Sequence, residues 1–210
     1  MKEQYPGSGL NLIAGGQGMQ NWIVYLIGPP GVGKQTVAEA IAATIECQVV
    51  DNHTWLNPIL RLVPQDGATP LPPKIWSLSA KIRRAILEAV SELSPPHWNF
   101  VFTLAAGDPN ERDEDSSRVQ EIVEVARRRN ARAMAVCLTC APEELARRVS
   151  APERHLKMKD TDPARARFLA SQPTFNPRWA YTLEIDTTNL VPAQIGGRIV
   201  EKMKSIEATA

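Results

Sequence analysis

The sequence predicts an α/β protein built on a parallel sheet with helices on both faces, and three observations point to it. Short apolar runs alternate along the chain with segments of helical period. A glycine-rich loop, Gly28-Pro29-Pro30-Gly31-Val32-Gly33-Lys34-Gln35-Thr36, joins the first such run to the first helical segment. Polar clusters follow the carboxyl ends of the apolar runs, which is where ligands bind in sheets of this kind.

The elements follow in order. Residues 1–20 are rich in Gly, Gln and Asn, lack periodicity and read as a flexible leader ahead of one domain over 21–210. Trp22 to Ile27 is the first strand, and Val37 to Ile45 the helix-like run after the loop. Cys47 to Val50 is a short second strand ending in Asp51-Asn52-His53, a loop predicted to lie beside the glycine-rich one. Thr54 to Leu62 reads as helix, and Val63 to Pro73 as a Pro/Gly-rich connection. Apolar residues at Ile75, Leu78, Ile82, Ile86, Leu87 and Val90 make Lys74 to Leu93 a long amphipathic helix. Phe100 to Leu104 is the third strand, followed by a polar loop over Gly107 to Ser117 and a helix from about Arg118 to Arg129. Arg132 to Thr139 is the fourth strand. Pro142-Glu143-Glu144 then opens a helix, with a proline and two acids suited to its positive end. Thr182 to Asp186 is the last strand and leads through Thr187-Thr188-Asn189 to a helix from about Pro192 to Ile206.

Composition narrows the function. The chain of 210 residues suits one domain with a substantial core, and 24 basic against 23 acidic side chains give no support for a nucleic-acid or membrane partner. No apolar run approaches the roughly 20 residues that span a bilayer, and the N-terminus lacks the pattern of a secretory signal, so a cytoplasmic location is expected. Cys137 and Cys140 stand in a C-x-x-C spacing inside a strand-like run. With no second ligand pair they read as core thiols, as does Cys47.

The glycine-rich loop carries the chemistry. Glycines let successive N–H groups point into one concavity, the following helix presents its positive end, and Lys34 can reach the outer phosphates of a nucleoside triphosphate. A plain glycine turn is the bland alternative. The strand before and the helix after are the context that the phosphate-binding reading requires. Between Arg147 and Gln172 lies a dense basic stretch: Arg147, Arg148, Arg154, His155, Lys157, Lys159, Arg165 and Arg167. A solvated charged helix would explain it. Its place between the fourth and fifth strands also suits a mobile lid whose cations close over a nucleotide.

GPPGVGKQT, the DNH after the second strand, AVCLTCAPEELARRV, ERHLKMK and LEIDTTNLVP together resemble the small P-loop kinases, a group that includes adenylate, shikimate and gluconate kinases and chloramphenicol phosphotransferases. The resemblance spans about Trp22 to Met203. It implies a three-layer P-loop NTPase fold with a five-stranded parallel sheet and a small basic lid at about 147–172. It also implies ATP and Mg²⁺ as cofactors and transfer of the γ-phosphate to a hydroxyl of a small molecule. Adenylate-kinase elements for a nucleoside monophosphate are absent, as are intact gluconate and shikimate motifs. A nucleotide-binding regulatory module and a nucleoside monophosphate kinase-like enzyme stay open as alternatives, and oligomeric state is not legible.

Residue by residue, the resemblance assigns Gly28 to Thr36 to the nucleotide phosphates, with Thr36 in the hydroxyl role because Gln35 follows the lysine. Asp51 would orient, and in part deprotonate, the acceptor hydroxyl; a turn or capping aspartate is the structural alternative. Arg147 or Arg148 would stack on the base, Arg154 would approach the transferring phosphate, and Thr188 belongs to the loop that supports adenine. His53, Arg61 and Arg83 are acceptor-side candidates, the arginines for an anionic acceptor, with Asn57 and Trp55 as further lining. The third strand ends without an acid, so Thr36, Asp51 and Asp108 are the metal candidates.

Overall fold

The computed structural model describes residues 19–64, 71–152, 154 and 159–209. The expected leader lies outside the described residues except for Met19 and Gln20, as do His155 and Lys157 of the basic stretch and 65–70 of the Pro/Gly-rich connection. Met19 itself packs on the core, and Asn99 Nδ2 donates to its carbonyl at 2.7 Å.

Five strands form one sheet in the order β2-β3-β1-β4-β5, every pair parallel. They are β1 (Trp22–Gly28), β2 (Gln48–Val50), β3 (Phe100–Ala105), β4 (Arg132–Thr139) and β5 (Thr182–Asp186). β1 sits at the centre with all seven residues buried, which explains its unbroken apolar character: a strand covered on both faces has no side to show to water. Its residues divide by parity. Trp22, Val24 and Leu26 face one core, and Ile23, Tyr25 and Ile27 the other.

The first core is closed by α1 (Lys34–Ala42), α5 (Pro142–Val149), α6 (Pro163–Ser171) and α7 (Pro192–Glu207). Val37, Ala38 and Ile41 of α1 meet Ile195, Ile199 and Met203 of α7 there, and each buried Val, Ile or Met among them contributes about 1.5–3 kcal/mol. The second core is closed by α3 (Lys74–Glu92) and α4 (Arg112–Arg129), through Leu87 and Val90 of the former and Val119, Ile122 and Val125 of the latter. A short α2 (His53–Leu60) packs on α3 beside the sheet's carboxyl end.

Several boundaries differ from the sequence reading, and two helix starts have a clear physical reason. α1 begins at Lys34 rather than Val37, because Gly33 takes a left-handed turn (φ +103°) and the helix starts at the very end of the glycine loop. α4 begins at Arg112, inside the stretch read as a polar loop, after a 3₁₀ turn at Pro109–Glu111. Asp113, Glu114 and Asp115 occupy its first turn, where acids stabilise the positive helix end; their polarity resembles a loop only when that end effect is ignored.

Candidate active site

The carboxyl ends of β1, β2 and β3, the start of α1 and the lid segment surround a single cleft of about 1300 Å³. That exceeds the ~300–1,000 Å³ usual for one small ligand, so there is room for two side by side.

One half is the glycine loop. Gly31 has φ +91°, and a Cβ there would stand 2.5 Å from Val149 Cγ1; a Cβ on Gly28 would stand 2.5 Å from the Leu138 carbonyl oxygen. Both glycines are therefore demanded by close packing of the loop on β4 and α5. The first bond of helical type is Val37 N–H to Gly33 O at 3.0 Å, which leaves the amides of Lys34, Gln35 and Thr36 at the open helix end, the arrangement that receives an anion. Lys34 is 8 % exposed, and its ammonium donates to the carbonyls of Gly28 (2.7 Å) and Pro29 (2.9 Å). Burial pushes its pKa down to about 7; nearby Asp51 opposes that, while Lys159 and Arg154 add to it. These three cations and the Asp51 carboxylate thus act on the same end of the loop.

The Gln35 departure has a local explanation. Its Oε1 accepts from Lys159 Nζ and its Nε2 donates to Glu39, so the amide links the lid to α1. Thr36 Oγ1 donates to Gly33 O at 2.8 Å and lines the cleft.

Across from Lys34, Asp51 and His53 end β2 and start α2. Asp51 Oδ1 accepts from the His53 backbone N–H (2.9 Å) and lies 2.7 Å from its Nδ1, while Oδ2 accepts from Thr103 Oγ1 at 3.0 Å. Burial alone would raise the Asp51 carboxyl; the side-chain and backbone bonds from His53, with help from Thr103, outweigh it and bring the pKa down to about 2. A carboxylate can only accept, so Nδ1 carries the proton and Nε2 is left as the basic nitrogen. Thr103 is fully buried in β3 and also takes the Asn52 N–H, so a hydroxyl on the third strand, rather than an acid, holds the second-strand carboxylate in place.

Of the residues expected from the sequence, Pro30 to Thr36, Asp51, His53, Arg83, Arg147, Arg148 and Arg154 line this cleft, as do Trp55 and, from the lid, Lys159. Arg147 is exposed and pairs with Glu144. Arg148 is engaged structurally: it donates to Thr187 O (2.8 Å), Thr187 Oγ1 (3.0 Å) and Val32 O (3.4 Å) and pairs with Glu144, bracing the glycine loop against the segment after β5. Arg154 donates twice to Asp160 O, which folds the lid segment on itself.

Six expected residues lie off the cleft lining. Gly28 and Pro29 form the base of the loop and present carbonyls to Lys34. Asp108 caps the 3₁₀ turn through Asn110 N–H and lies 3.6 Å from Arg165, so its carboxylate is spent on the turn and the lid. Arg61 is exposed at the end of α2. Thr188 too is set back, its hydroxyl taking the Ala141 N–H at 2.8 Å. Asn57 likewise is absent from the lining, with its Oδ1 buried and unpartnered among the described residues.

Sequence reasoning missed Thr103, Tyr25, Trp76 and Arg118, whereas Arg165 of the basic stretch does line the cleft. Thr103 carried a usable signal, a lone hydroxyl within an apolar strand. Tyr25 carried none, being one more apolar residue in β1; burial raises its phenol pKa, so it stays a neutral donor in the cleft wall.

A family model described as an AAA domain matches residues 23–177, more than half of the chain. No curated protein matches in sequence. Among solved structures, a putative kinase from Chloroflexus aurantiacus superposes with a TM-score of 0.60 at 16% identity, over 90% of this chain and 99% of that one. The APS kinase CysC of Mycobacterium tuberculosis, solved with AMPPNP and APS, gives 0.56 at 13% identity over 88% and 98%. A gluconokinase from Sinorhizobium meliloti gives 0.52 at 17% identity over 89% and 93%. With the central β1, the loop into α1 and the strand order described above, the chain belongs to the AAA domain family and has the three-layer P-loop fold shared by small P-loop kinases.

Proposed function

We propose that the protein is an ATP-dependent phosphotransferase that moves the γ-phosphate to a hydroxyl of a small molecule. The observation that carries this reading is the placement of Lys34 and Asp51 in one cleft with room for two ligands. The kinases of similar fold act on gluconate and APS by name, and support the class of reaction rather than the acceptor.

Phosphoryl transfer needs charge neutralised on the nucleotide and an acceptor oxygen held in line, more than it needs covalent help from the protein. The amides of Lys34, Gln35 and Thr36 and the Lys34 ammonium serve the first need; on binding, the ammonium exchanges the Gly28 and Pro29 carbonyls for phosphate oxygens. Arg154 and Lys159 add positive charge from the lid. Asp51 serves the second need. At a pKa of about 2 it remains ionised and accepts the acceptor's O–H, but it is too weak a base to hold that proton at neutral pH. The basic Nε2 of His53, oriented by Asp51, is the better final proton acceptor.

Thr36 and Asp51 are hard oxygen donors suited to Mg²⁺, whereas Asp108 is committed elsewhere. Among the described residues no group of three or more His, Cys, Asp or Glu side chains gathers to hold a metal, so phosphate oxygens and water would complete the shell. Bound there, Mg²⁺ would offset negative charge on the outer phosphates.

In this reading residues 21–210 act as one catalytic domain with a lid at about 147–172 that excludes water when closed. No helix among the described residues is long and apolar enough to cross a membrane, in keeping with a cytoplasmic enzyme. The test is ADP release by purified protein given ATP, Mg²⁺ and pooled hydroxyl compounds. Saturable ATP binding with no acceptor-dependent ADP release would leave a nucleotide-binding regulatory module instead.

A further inference from the structure

The cleft continues past Asp51 into a second half whose chemistry differs from that of the loop. Trp55 from α2 and Trp76 from α3 form its apolar wall; Tyr25, Arg83, Arg118 and the solvent-exposed Glu114 also line it. Trp55 is 7 % exposed and fixed by packing. Trp76 is 51 % exposed, a large aromatic surface left uncovered at the entrance.

The two arginines here are already matched by acids. Arg83 places Nε 2.6 Å and Nη2 3.1 Å from the two carboxylate oxygens of Glu121, a bidentate pair. Arg118 lies 2.6 Å from Glu114, 3.1 Å from Asp115 and 3.8 Å from Glu111. With Arg84 3.6 Å from Glu121 and Arg165 4.0 Å from Glu111, four cations face these four carboxylates, and each of the four has an acid partner. Arg61, the other expected cation, lies off the lining. An anion entering this half would have to break the bidentate Arg83–Glu121 pair or the Arg118 cluster to find a cation.

We infer that this half is the acceptor subsite, and that it takes an uncharged or cationic hydroxyl compound whose ring packs against Trp55 and Trp76, in place of the anionic acceptor that Arg61 and Arg83 suggest from sequence. The inference rests on the phosphotransferase reading for the word acceptor, but its charge preference and aromatic wall are properties of the cleft itself. Indole faces favour rings by stacking and cations by attraction to the ring quadrupole.

The experiment measures binding to the full chain, with Mg²⁺ and a non-hydrolysable ATP analogue present, of three probes that share a benzyl alcohol frame: para-methylbenzyl alcohol, para-(aminomethyl)benzyl alcohol and para-(hydroxymethyl)benzoate. The methyl and amine probes should bind at least about tenfold more tightly than the carboxylate. Trp76→Ala, at a half-exposed site that folding tolerates, should weaken both severalfold. Glu121→Gln should narrow the gap by releasing Arg83. Equal or tighter binding of the carboxylate, binding of none of the three, or affinities indifferent to Trp76→Ala would overturn the inference. ADP release with ATP is scored separately: probes that bind without release count against the phosphotransferase reading and leave the subsite standing.

Discussion

Lys34→Met should change how stability depends on pH, by an amount the surroundings of the ammonium set. Burial brings its pKa from the ordinary 10.5 down to about 7, so between those values the unfolded chain holds more protons than the folded one. The cost of burying the charge is fully present below about pH 7 and fades as pH rises toward 10.5; stability of the native chain therefore climbs with pH across that window relative to the variant. The whole gap corresponds to a cost on the order of 5 kcal/mol, and the share recovered between about pH 7 and 9 is on the order of 2 kcal/mol. The bonds to Gly28 O and Pro29 O favour the charged form and pull the second figure toward about 1 kcal/mol. Urea unfolding of nucleotide-free native and Lys34→Met protein at several pH values gives the difference directly. Parallel pH profiles, or a variant that gains on the native chain as pH rises, would refute a buried and depressed Lys34.

Three further outcomes follow from the same geometry. ATP binding at about pH 8 should take up a fraction of a proton as phosphate restores the Lys34 ammonium, seen as a binding enthalpy that changes with the buffer's own ionisation enthalpy and is lost in Lys34→Met. Asp51→Asn should lower kcat by about 100-fold or more while ATP affinity stays within a few-fold, since the carboxylate acts on the acceptor; a matching loss of ATP affinity would point to a role on the nucleotide side. Arg148→Met should cost about 2–3 kcal/mol in unfolding experiments, because it strips charged hydrogen bonds from the Thr187 carbonyl and hydroxyl and from Val32 O. A loss of ATP affinity with unchanged stability would instead assign Arg148 to the base, as the sequence suggested.

Much of the architecture was legible because it depends on local patterns. An uninterrupted apolar run such as Ile23 to Ile27 reads as a doubly covered strand, and Lys74 to Glu92 shows its helical period plainly. The start of α4 was not, because Asp113, Glu114 and Asp115 belong to a helix end whose favourable field exists only once the helix has formed.

The site divides along the same line. From the chain alone came the phosphate loop, with Lys34 and its glycines, and the expectation that Asp51 lies beside it, since parallel strands end on one edge of the sheet; that β3 stands between β1 and β2 came only with the structure. Tertiary structure decided the partners: that Thr103 and His53 hold the Asp51 carboxylate, that Gln35 meets Lys159, that Arg148 braces backbone, and that Glu121 neutralises Arg83. Periodicity reports which residues are buried. It says nothing about which charged or hydroxylated group, drawn from 38 to 124 residues away, will stand within hydrogen-bonding distance, and that distance sets what a buried polar group can do.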